Sequence, residues 1–373
     1  MFLIIRCSIL FEYATDMLFY ITVIGSTSAF FASTIGLAQN DLKKVIAYST
    51  ASQLGYMIFA CGLSAYHVSF FHLINHAFFK ALLFLGSGII IHGLNDEQDM
   101  RRMGGLIKLF PYTYSCLLIG SLALGGFPFL SGFYSKDLIL ELSYSKFKLH
   151  GLFAFILGSV SAFLTAFYSG RLLLLTFGQS TNIFRYNTLK IHEGNFQLTL
   201  PLLLLIIGSL FSGFFFKDMF IGFGSIFFNN SIYNLSFNKT FFDIEFIPSW
   251  IKLIPTIFGF TGFSIVFIIF KSSLIININK FNVRLYSFFN NKWYFDHIYN
   301  LYLGSFILWV SYNICYKAID KGILEFLGAS NISNLIYRTS KLSTYLQTGA
   351  LYNYLSLLVF SWLLILFFFE IIL

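Results

Sequence analysis

The chain has 373 residues, of which 57% are hydrophobic and only 11% are charged. One aqueous core does not bury that many apolar side chains, so the composition indicates a lipid bilayer as the solvent. The formal net charge of +8 does not indicate nucleic acid, because the basic residues stand singly or in pairs at the ends of apolar runs, as in membrane anchors. The four cysteines lie far apart, without C-x-x-C spacing. We therefore expect no disulfide framework, metal site or cofactor.

The apolar runs predict an all-α polytopic membrane protein with about eight transmembrane helices, since about 20 helical residues cross a bilayer core of about 30 Å. We expect inner helices in residues 1–149, peripheral helices in 150–271, a lateral surface helix in 272–347 and a final anchor in 348–373. The predicted spans are residues 17–38, 45–64, 67–91, 109–144, 150–177, 198–216, 252–270 and 351–373.

The second predicted span carries too many polar side chains to face lipid all round, so part of it must face protein or water. These side chains are Tyr48, Ser49, Thr50, Ser52, Gln53 and Tyr56.

The long apolar stretch 109–144 predicts one broken helix. Its length as helix is about 52 Å, which is too long for one span and too short for two spans and a turn. Gly125, Gly126, Pro128 and Gly132 fall within eight residues, and a proline inside such a run interrupts the helix. A break at this depth frees backbone carbonyls and is typical of transport sites.

The stretch from Phe281 to Tyr345 mixes charged and aromatic residues, and its part 296–327 is typical of a helix that lies along a surface. Alternating the spans gives one face most of the basic residues, which predicts that this face is cytoplasmic or matrix and carries the surface helix, with both chain ends opposite. The richer face holds Lys43, Lys44, Arg101, Arg102, Lys108, Arg185, Lys190, Lys271, Lys280, Arg284 and Lys292; the other holds chiefly Lys146, Lys148, Lys217 and Lys239.

His72, His76 and Lys80 are spaced four residues apart and form one stripe on the third predicted span. Ionisable groups inside a membrane are costly and indicate function, and histidine and a desolvated lysine are suited to taking up and releasing protons near neutral pH. Two alternatives remain: the histidines are packed core residues, or they bind zinc. The zinc alternative is weaker, because Leu73 stands where H-E-x-x-H has glutamate.

Lys136, beside Asp137 and before Glu141, follows the glycine–proline break directly. In an unbroken helix Lys136 would lie about 40 Å along the axis and reach the interface; with a break it returns to the bilayer interior. Spacing alone leaves both alternatives open. Arg171 lies near the end of its span and is predicted to be an interfacial anchor, and Lys217 and Asp218 are predicted to be interfacial as well.

Four segments resemble one known family: QNDLKKVIAYSTASQLGYM (39–57), HLINHAFFKALLFL (72–85), DEQDMRRMGG (96–105) and GFPFLSGFYSKD (126–137). They are similar to subunit 5 of mitochondrial NADH–ubiquinone oxidoreductase, respiratory complex I. WYFDHIYN (293–300) and QTGALYNY (347–354) resemble the flanks of that family's lateral helix. The resemblance covers essentially the whole chain but only the carboxyl-terminal half of the family's length.

The resemblance implies an antiporter-like fold, of which this chain holds the second inverted repeat, in the mitochondrial inner membrane with the lateral helix on the matrix side. It implies that Lys80, His72 and His76 belong to a central proton-transfer axis and that Lys136, paired with Asp137, is its terminal lysine. It also implies that a separate chain supplies the amino-terminal helices and that the lateral helix contacts other membrane-arm subunits.

The resemblance therefore predicts a proton-translocating membrane-arm subunit that couples electron transfer from NADH to ubiquinone with proton pumping and carries no redox chemistry itself. A subunit of a multi-subunit sodium/proton antiporter is the alternative, because its HAFFKALLF segment is similar; the stretch 281–345 favours complex I. A third alternative is a structural clamp that does not conduct.

Overall fold

The structure is a computed structural model that describes residues 1–182, 193, 196–222, 225, 227–228, 231–235, 242–271, 280–325 and 328–372. Its contacts divide the chain into two units, Met1–Trp293 and Tyr294–Leu373. Within the described residues every regular element is helical, and the sole strand-like feature is an isolated bridge between Asp41 and Asp99.

The helices of the first unit confirm the predicted all-α membrane fold. Six described helices of the chain are long and apolar enough to cross a membrane. The two other predicted spans are present as a helix with a polar face and as a pair of 15-residue helices. The helices are α1 (Phe2–Arg6), α2 (Ser8–Tyr13), α3 (Thr15–Ala38), α4 (Leu42–Gly62), α5 (Tyr66–Gly93), α6 (Pro111–Gly125), α7 (Ser131–Ser145), α8 (Leu149–Leu173), α9 (Phe196–Ile221), α10 (Ile254–Lys271) and α11 (Lys280–Asn290).

Two glycines let the backbones of α3 and α4 approach each other closely. A Cβ on Gly25 would lie 2.4 Å from the Phe59 nitrogen, and a Cβ on Gly55 would lie 2.7 Å from the Ala29 nitrogen. Small residues at such crossings are typical of membrane helices, where van der Waals packing drives helix association. The polar face of α4 is buried elsewhere, as the sequence predicts: Ser49 and Gln53 contact α5, and Ser52 contacts Tyr168 on α8.

The predicted helix break lies between α6 and α7. Gly126 ends α6 in the left-handed region, with φ +79°, a conformation that favours glycine. Gly132 lies in the first turn of α7, and a Cβ there would lie 1.8 Å from the carbonyl oxygen of Ala123. The two half-helices therefore pack against each other at a point where no side chain fits.

The loop after α5 covers the start of α4. The Leu42 amide donates to the Gln98 carbonyl at 2.9 Å, and the Met100 amide donates to the Asn40 carbonyl at 3.0 Å. Within this loop the Arg101 guanidinium donates to both carboxylate oxygens of Asp99, from Nε to Oδ1 at 3.0 Å and from Nη2 to Oδ2 at 2.6 Å. This hydrogen bonding from the Arg101 guanidinium holds the pKa of the Asp99 carboxyl below its usual value.

The predicted interfacial role of Arg171 is wrong. Its side chain is 8% exposed and donates to the carbonyls of Leu37, at 2.6 Å, and Gln39, at 2.8 Å, and to the Asn40 side chain at 2.8 Å. A guanidinium has five donors in a fixed fork, which suits the unpaired carbonyls where α3 ends. Arg171 therefore joins α8 to the end of α3 instead of reaching toward lipid headgroups.

The contact network at the end of α3 continues to α11. The Asn40 side chain donates to the Tyr286 hydroxyl at 2.7 Å, and the Gln39 side chain donates to the Asn290 carbonyl at 3.0 Å. The Trp293 ring packs edge-on against Phe31, with centroids 5.2 Å apart. α11 is thus fixed to the same end of the helix cluster as the loop that contains Asp99.

The predicted lateral helix is not one continuous helix. Lys292, Trp293 and Tyr294 have φ between 55° and 58°, which a right-handed helix cannot include, so α11 ends before them. The residues 272–279 and 326–327 of the prediction lie outside the described residues, as do Arg185, Lys190 and Lys239 of the predicted charge pattern.

The second unit consists of helical segments whose side chains are largely exposed. Residues 295–324 form successive α and π turns, followed by α12 (Ala329–Leu346) and α13 (Leu351–Ile372). None of the most apolar window of the last helix is buried.

Candidate proton-transfer site

The site is built on α5, whose three predicted residues lie on one buried stripe. His72 is 1% exposed, His76 9% and Lys80 4%. The spacing of four residues places them one above the other along the helix. The stripe faces α4 and α7, which supply its polar partners.

Lys80 lies at one end of the stripe and donates to the hydroxyl of Ser49 on α4. Its ammonium also lies 5.8 Å from the centroid of the Phe84 ring, a cation–π contact that partly replaces water around a buried charge. Ser49 belongs to the polar face of α4, which the sequence predicts to face protein or water.

His72 joins three helices. Its Nδ1 lies 2.8 Å from the Ser135 hydroxyl on α7, and its Nε2 lies 3.1 Å from the Gln53 side-chain oxygen on α4. Because the Gln53 oxygen is an acceptor, Nε2 is the donor there in the arrangement that satisfies both contacts, which leaves Nδ1 to accept from Ser135 in the neutral ring.

His76 lies between the other two. Its ring centroid is 6.2 Å from that of His72, and its Nε2 is buried without a hydrogen-bond partner among the described residues. A buried ring nitrogen of this kind needs a hydrogen-bond partner, which a water molecule can supply.

Lys136 is buried in the interior, 2% exposed, so the broken helix places it away from the interface. Its ammonium donates to the Thr165 hydroxyl on α8 at 2.8 Å and reaches the Leu124 carbonyl at 3.5 Å. It also lies 5.6 Å from the centroid of the Tyr56 ring. The Leu124 carbonyl lies in the last turn of α6, where a break leaves backbone oxygens without helical partners.

Asp137 lies beside Lys136 and is 7% exposed. Its Oδ2 is buried without a hydrogen-bond partner among the described residues. A Cβ on Gly126 would lie 3.8 Å from Asp137 Oδ1 and 3.9 Å from Lys136 Cδ, so the backbone of the break itself borders both charged side chains.

A second group of polar contacts surrounds the row. Asn75 donates to the Ser131 carbonyl at 3.3 Å and accepts from the Ser212 hydroxyl at 2.9 Å. The Tyr56 hydroxyl donates to the Gly158 carbonyl at 2.6 Å. These contacts hold α5 to α7 and α9, and α4 to α8, so the positions of the titratable groups are set by fully packed helices.

The structure thus brings His72, His76 and Lys80 together on one helix and brings Lys136 and Asp137 to the adjacent helix α7. Ser135 directly precedes Lys136 in the chain and contacts His72, which links the two groups. Sequence reasoning missed Ser135 and Thr165. Neither carried a signal, because serine and threonine are common in membrane helices as intrahelical donors.

The arrangement is suited to moving protons rather than to binding a metal. Within the described part of the chain no group of three or more His, Cys, Asp or Glu side chains is placed to hold a metal ion. Buried imidazole and amine groups that contact hydroxyls are groups that can take up and release protons.

Comparison with known proteins gives two family matches. Residues 1–165 match the family described as NADH:quinone oxidoreductase/Mrp antiporter, transmembrane. Residues 219–369 match the family described as NADH dehydrogenase subunit 5 C-terminus.

Curated relatives cover nearly the whole chain. NADH-ubiquinone oxidoreductase chain 5 of Phytophthora infestans is 50% identical over 96% of this chain and 55% of its own length. The proteins of the same name from Marchantia polymorpha and Triticum aestivum are each 50% identical over 95% of this chain, and over 54% and 53% of their own lengths. The chain therefore spans about half the length of these relatives.

A solved structure shares the fold. A chain in the structure of an Mrp complex from Dietzia superposes with a TM-score of 0.56 at 21% identity, covering 76% of this chain and 31% of that chain. The chain is thus an all-α polytopic membrane protein of antiporter-like fold, similar over almost its whole length to about half of NADH-ubiquinone oxidoreductase chain 5.

Proposed function

We propose that this chain is the carboxyl-terminal part of a proton-translocating subunit of respiratory complex I. The observation that carries the proposal is the burial of two lysines beside two buried histidines: Lys80 shares a stripe of α5 with His72 and His76, and Lys136 follows Ser135, which contacts His72. Burying ionisable groups in a membrane protein costs free energy, and such groups mark ion pathways. The 50% identity to chains named NADH-ubiquinone oxidoreductase chain 5 supports the assignment to that complex.

The proton passes along the row from Lys80 through His76 and His72 toward Lys136. Ser49 and Gln53 on α4 and Ser135 on α7 hold the donors and acceptors in register. Water bridges the gap between the two histidines. Asp137 offsets the positive charge of Lys136, and a change in that pairing raises or lowers the ability of Lys136 to hold its proton.

The chain works with partners in this proposal. Further membrane helices supply the part of subunit 5 that the matched length leaves out. The exposed apolar residues of 295–324 contact other membrane-arm subunits. The assembly lies in the mitochondrial inner membrane, with the loop 94–110 and the lateral segment on the matrix side. Mass spectrometry of the purified complex, cross-linked through α3, identifies the complementing helices and the chain that carries them.

The test is Lys136→Met in the assembled complex, reconstituted in vesicles and driven by NADH and a soluble quinone. Protons pumped per electron are measured, with Lys148→Met as the matched control, because Lys148 is exposed in the turn between α7 and α8. We expect Lys136 to be required for pumping and the Lys148→Met control to pump as the unaltered protein does. Unchanged pumping with Lys136→Met contradicts the proposal and favours a structural clamp.

A sodium/proton antiporter subunit is the second candidate, favoured by the shared fold with the Mrp complex chain. The match of residues 219–369 to a subunit 5 family favours complex I. The two differ in ion dependence: an antiporter subunit exchanges protons for sodium without NADH, whereas the proposed function requires NADH oxidation and no sodium gradient.

A further inference from the structure

A cavity opens beside α7, one helical turn beyond Asp137. Its volume is about 310 Å³, and it is lined by α7, by the end of α9 and by the segment 244–245 that precedes α10, with Leu138, Glu141, Lys217, Asp218, Ile244 and Glu245 among its walls. Lys217, Asp218 and Glu245 are exposed, whereas Glu141 is half-buried at the inner end. A cavity of this size with charged walls holds water.

Glu141 is placed between this cavity and the buried pair. Asp137 and Glu141 are four residues apart on α7, so their side chains lie on one face with Cβ atoms about 6 Å apart. Asp137 is 93% buried, from its exposure of 7%, and its Oδ2 has no hydrogen-bond partner among the described residues. A single water reaches both carboxyls across such a gap.

The charged groups that face Glu141 come from each element packed against it. Asp137 lies on its own helix, Lys217 and Asp218 lie on α9, and Glu245 and Lys252 follow α9 in the chain. Lys217 also lies 5.9 Å from the centroid of the Tyr134 ring on α7. The Glu141 carboxyl thus has one buried charged neighbour, Asp137, and three exposed ones, Lys217, Asp218 and Glu245.

We infer that Glu141 is a proton-relay residue, which passes protons from the Lys136–Asp137 pair to water in this cavity. The inference rests on the proposed function and extends it to the exit. The Lys136 ammonium first gives its proton to the Asp137 carboxylate, which leaves a neutral amine and a neutral carboxyl. The Asp137 carboxyl then gives this proton through a bridging water to the Glu141 carboxylate, and Asp137 becomes a carboxylate again. Glu141 then releases the proton to cavity water and returns to its ionised form, so the charges balance over one cycle.

A purely structural role of the Glu141 carboxylate predicts a different mutational result from a relay role. A residue that only packs or pairs at the surface tolerates glutamine, which has the same shape and keeps hydrogen bonding. A relay does not, because glutamine cannot take up and release a proton. Glu141→Gln therefore separates the two roles.

The experiment measures protons pumped per electron by the assembled complex in vesicles. Four variants are compared: Glu141→Gln, Glu141→Asp, Asp243→Asn and Lys136→Met. Asp243→Asn is the control, because Asp243 is an exposed carboxylate next to Ile244 in the chain but is not among the residues that line the cavity. The amount of assembled complex and the rate of NADH oxidation with uncoupler show whether each variant has folded.

We expect Glu141→Gln to lower pumping as far as Lys136→Met does, Glu141→Asp to keep most of it and Asp243→Asn to leave it unchanged. Loss of a positioned proton donor or acceptor slows its transfer step by about 100-fold or more. Full pumping by Glu141→Gln while Lys136→Met fails overturns the relay and leaves the proposed function standing. Equal losses in Glu141→Gln and Glu141→Asp, or in Glu141→Gln and Asp243→Asn, overturn it as well, because they indicate disrupted packing.

Discussion

The helix cluster of Met1–Trp293 and the segment Tyr294–Leu373 use apolar helices in opposite ways. Half of the most apolar window of α5 is buried at a mean hydropathy of 1.6, whereas none of that of α13 is buried at the higher value of 2.0. Hydropathy therefore identifies both helices as spans but does not distinguish their surroundings. The distinguishing feature is the buried polar row, which only the first unit contains among the described residues.

The lysines show the same contrast. Lys80 and Lys136 are buried and bound to hydroxyls on neighbouring helices. Lys317 and Lys321 are exposed and lie over tyrosine rings of their own helical segment, at 4.8 and 5.1 Å. A buried lysine must be held by tertiary contacts, whereas an exposed one is held by its own helix. Only a buried lysine of this kind therefore indicates an internal functional site.

The largest difference in stability between the two units is expected when a methyl group is added at the helix break. Gly132→Ala forces the α6 and α7 backbones apart, because its Cβ would lie 1.8 Å from the Ala123 carbonyl oxygen; we expect a loss of about 3 kcal/mol. Gly304→Ala in the second unit meets its nearest atom at 3.6 Å and should not destabilise the helix. The thermal stability of both variants is the measurement. Equal stability of the two would show that the close approach at the break is unimportant.

A smaller loss is expected at the end of α3. Arg171→Met removes three hydrogen bonds and leaves the Leu37 and Gln39 carbonyls without this donor, which should cost about 3 kcal/mol at most. Arg338→Met is the matched control, because Arg338 is exposed on α12. We expect a lower thermal midpoint and faster proteolysis near α11 for Arg171→Met alone. If both variants unfold at the same temperature, the arginine is not a tertiary clamp.

The smallest effect is expected in the loop that covers α4. Hydrogen bonding from Arg101 lowers the pKa of Asp99, so this contribution to stability is complete above the ordinary aspartate pKa of about 4 and is lost as the pH falls through the lowered value. The pair is partly exposed, and its worth is at most about 1 kcal/mol. The stability cost of Asp99→Asn should therefore be equal at about pH 6 and about pH 8. A cost that changes between these two pH values contradicts this explanation.

Much of the fold followed from the sequence because local rules set it. The glycines and Pro128 locate the break between α6 and α7, and the serines and Gln53 of α4 require a protein-facing side. The spacing of His72, His76 and Lys80 gives their common stripe. These features depend on residues close in the chain, for which helix geometry alone is sufficient.

The remaining features depend on contacts between distant segments. Arg171 was assigned to the interface from its place in its span, but the ends of α3 and α8 meet and supply its acceptors. Thr165 became a partner of Lys136 only because the break turns α7 toward α8. The interruption of the lateral segment at Lys292–Tyr294 results from positive φ values. The identities of these non-glycine residues do not predict such values.

The most direct test of the proton row compares Lys80→Met, Lys136→Met and the double variant in protons pumped per electron. If the two lysines lie on one path, removing the second lysine causes no further loss of pumping. The double variant should therefore pump as much as the weaker single variant, within error. Full pumping by either single variant, or losses that multiply in the double variant, would contradict a single row through Lys80 and Lys136.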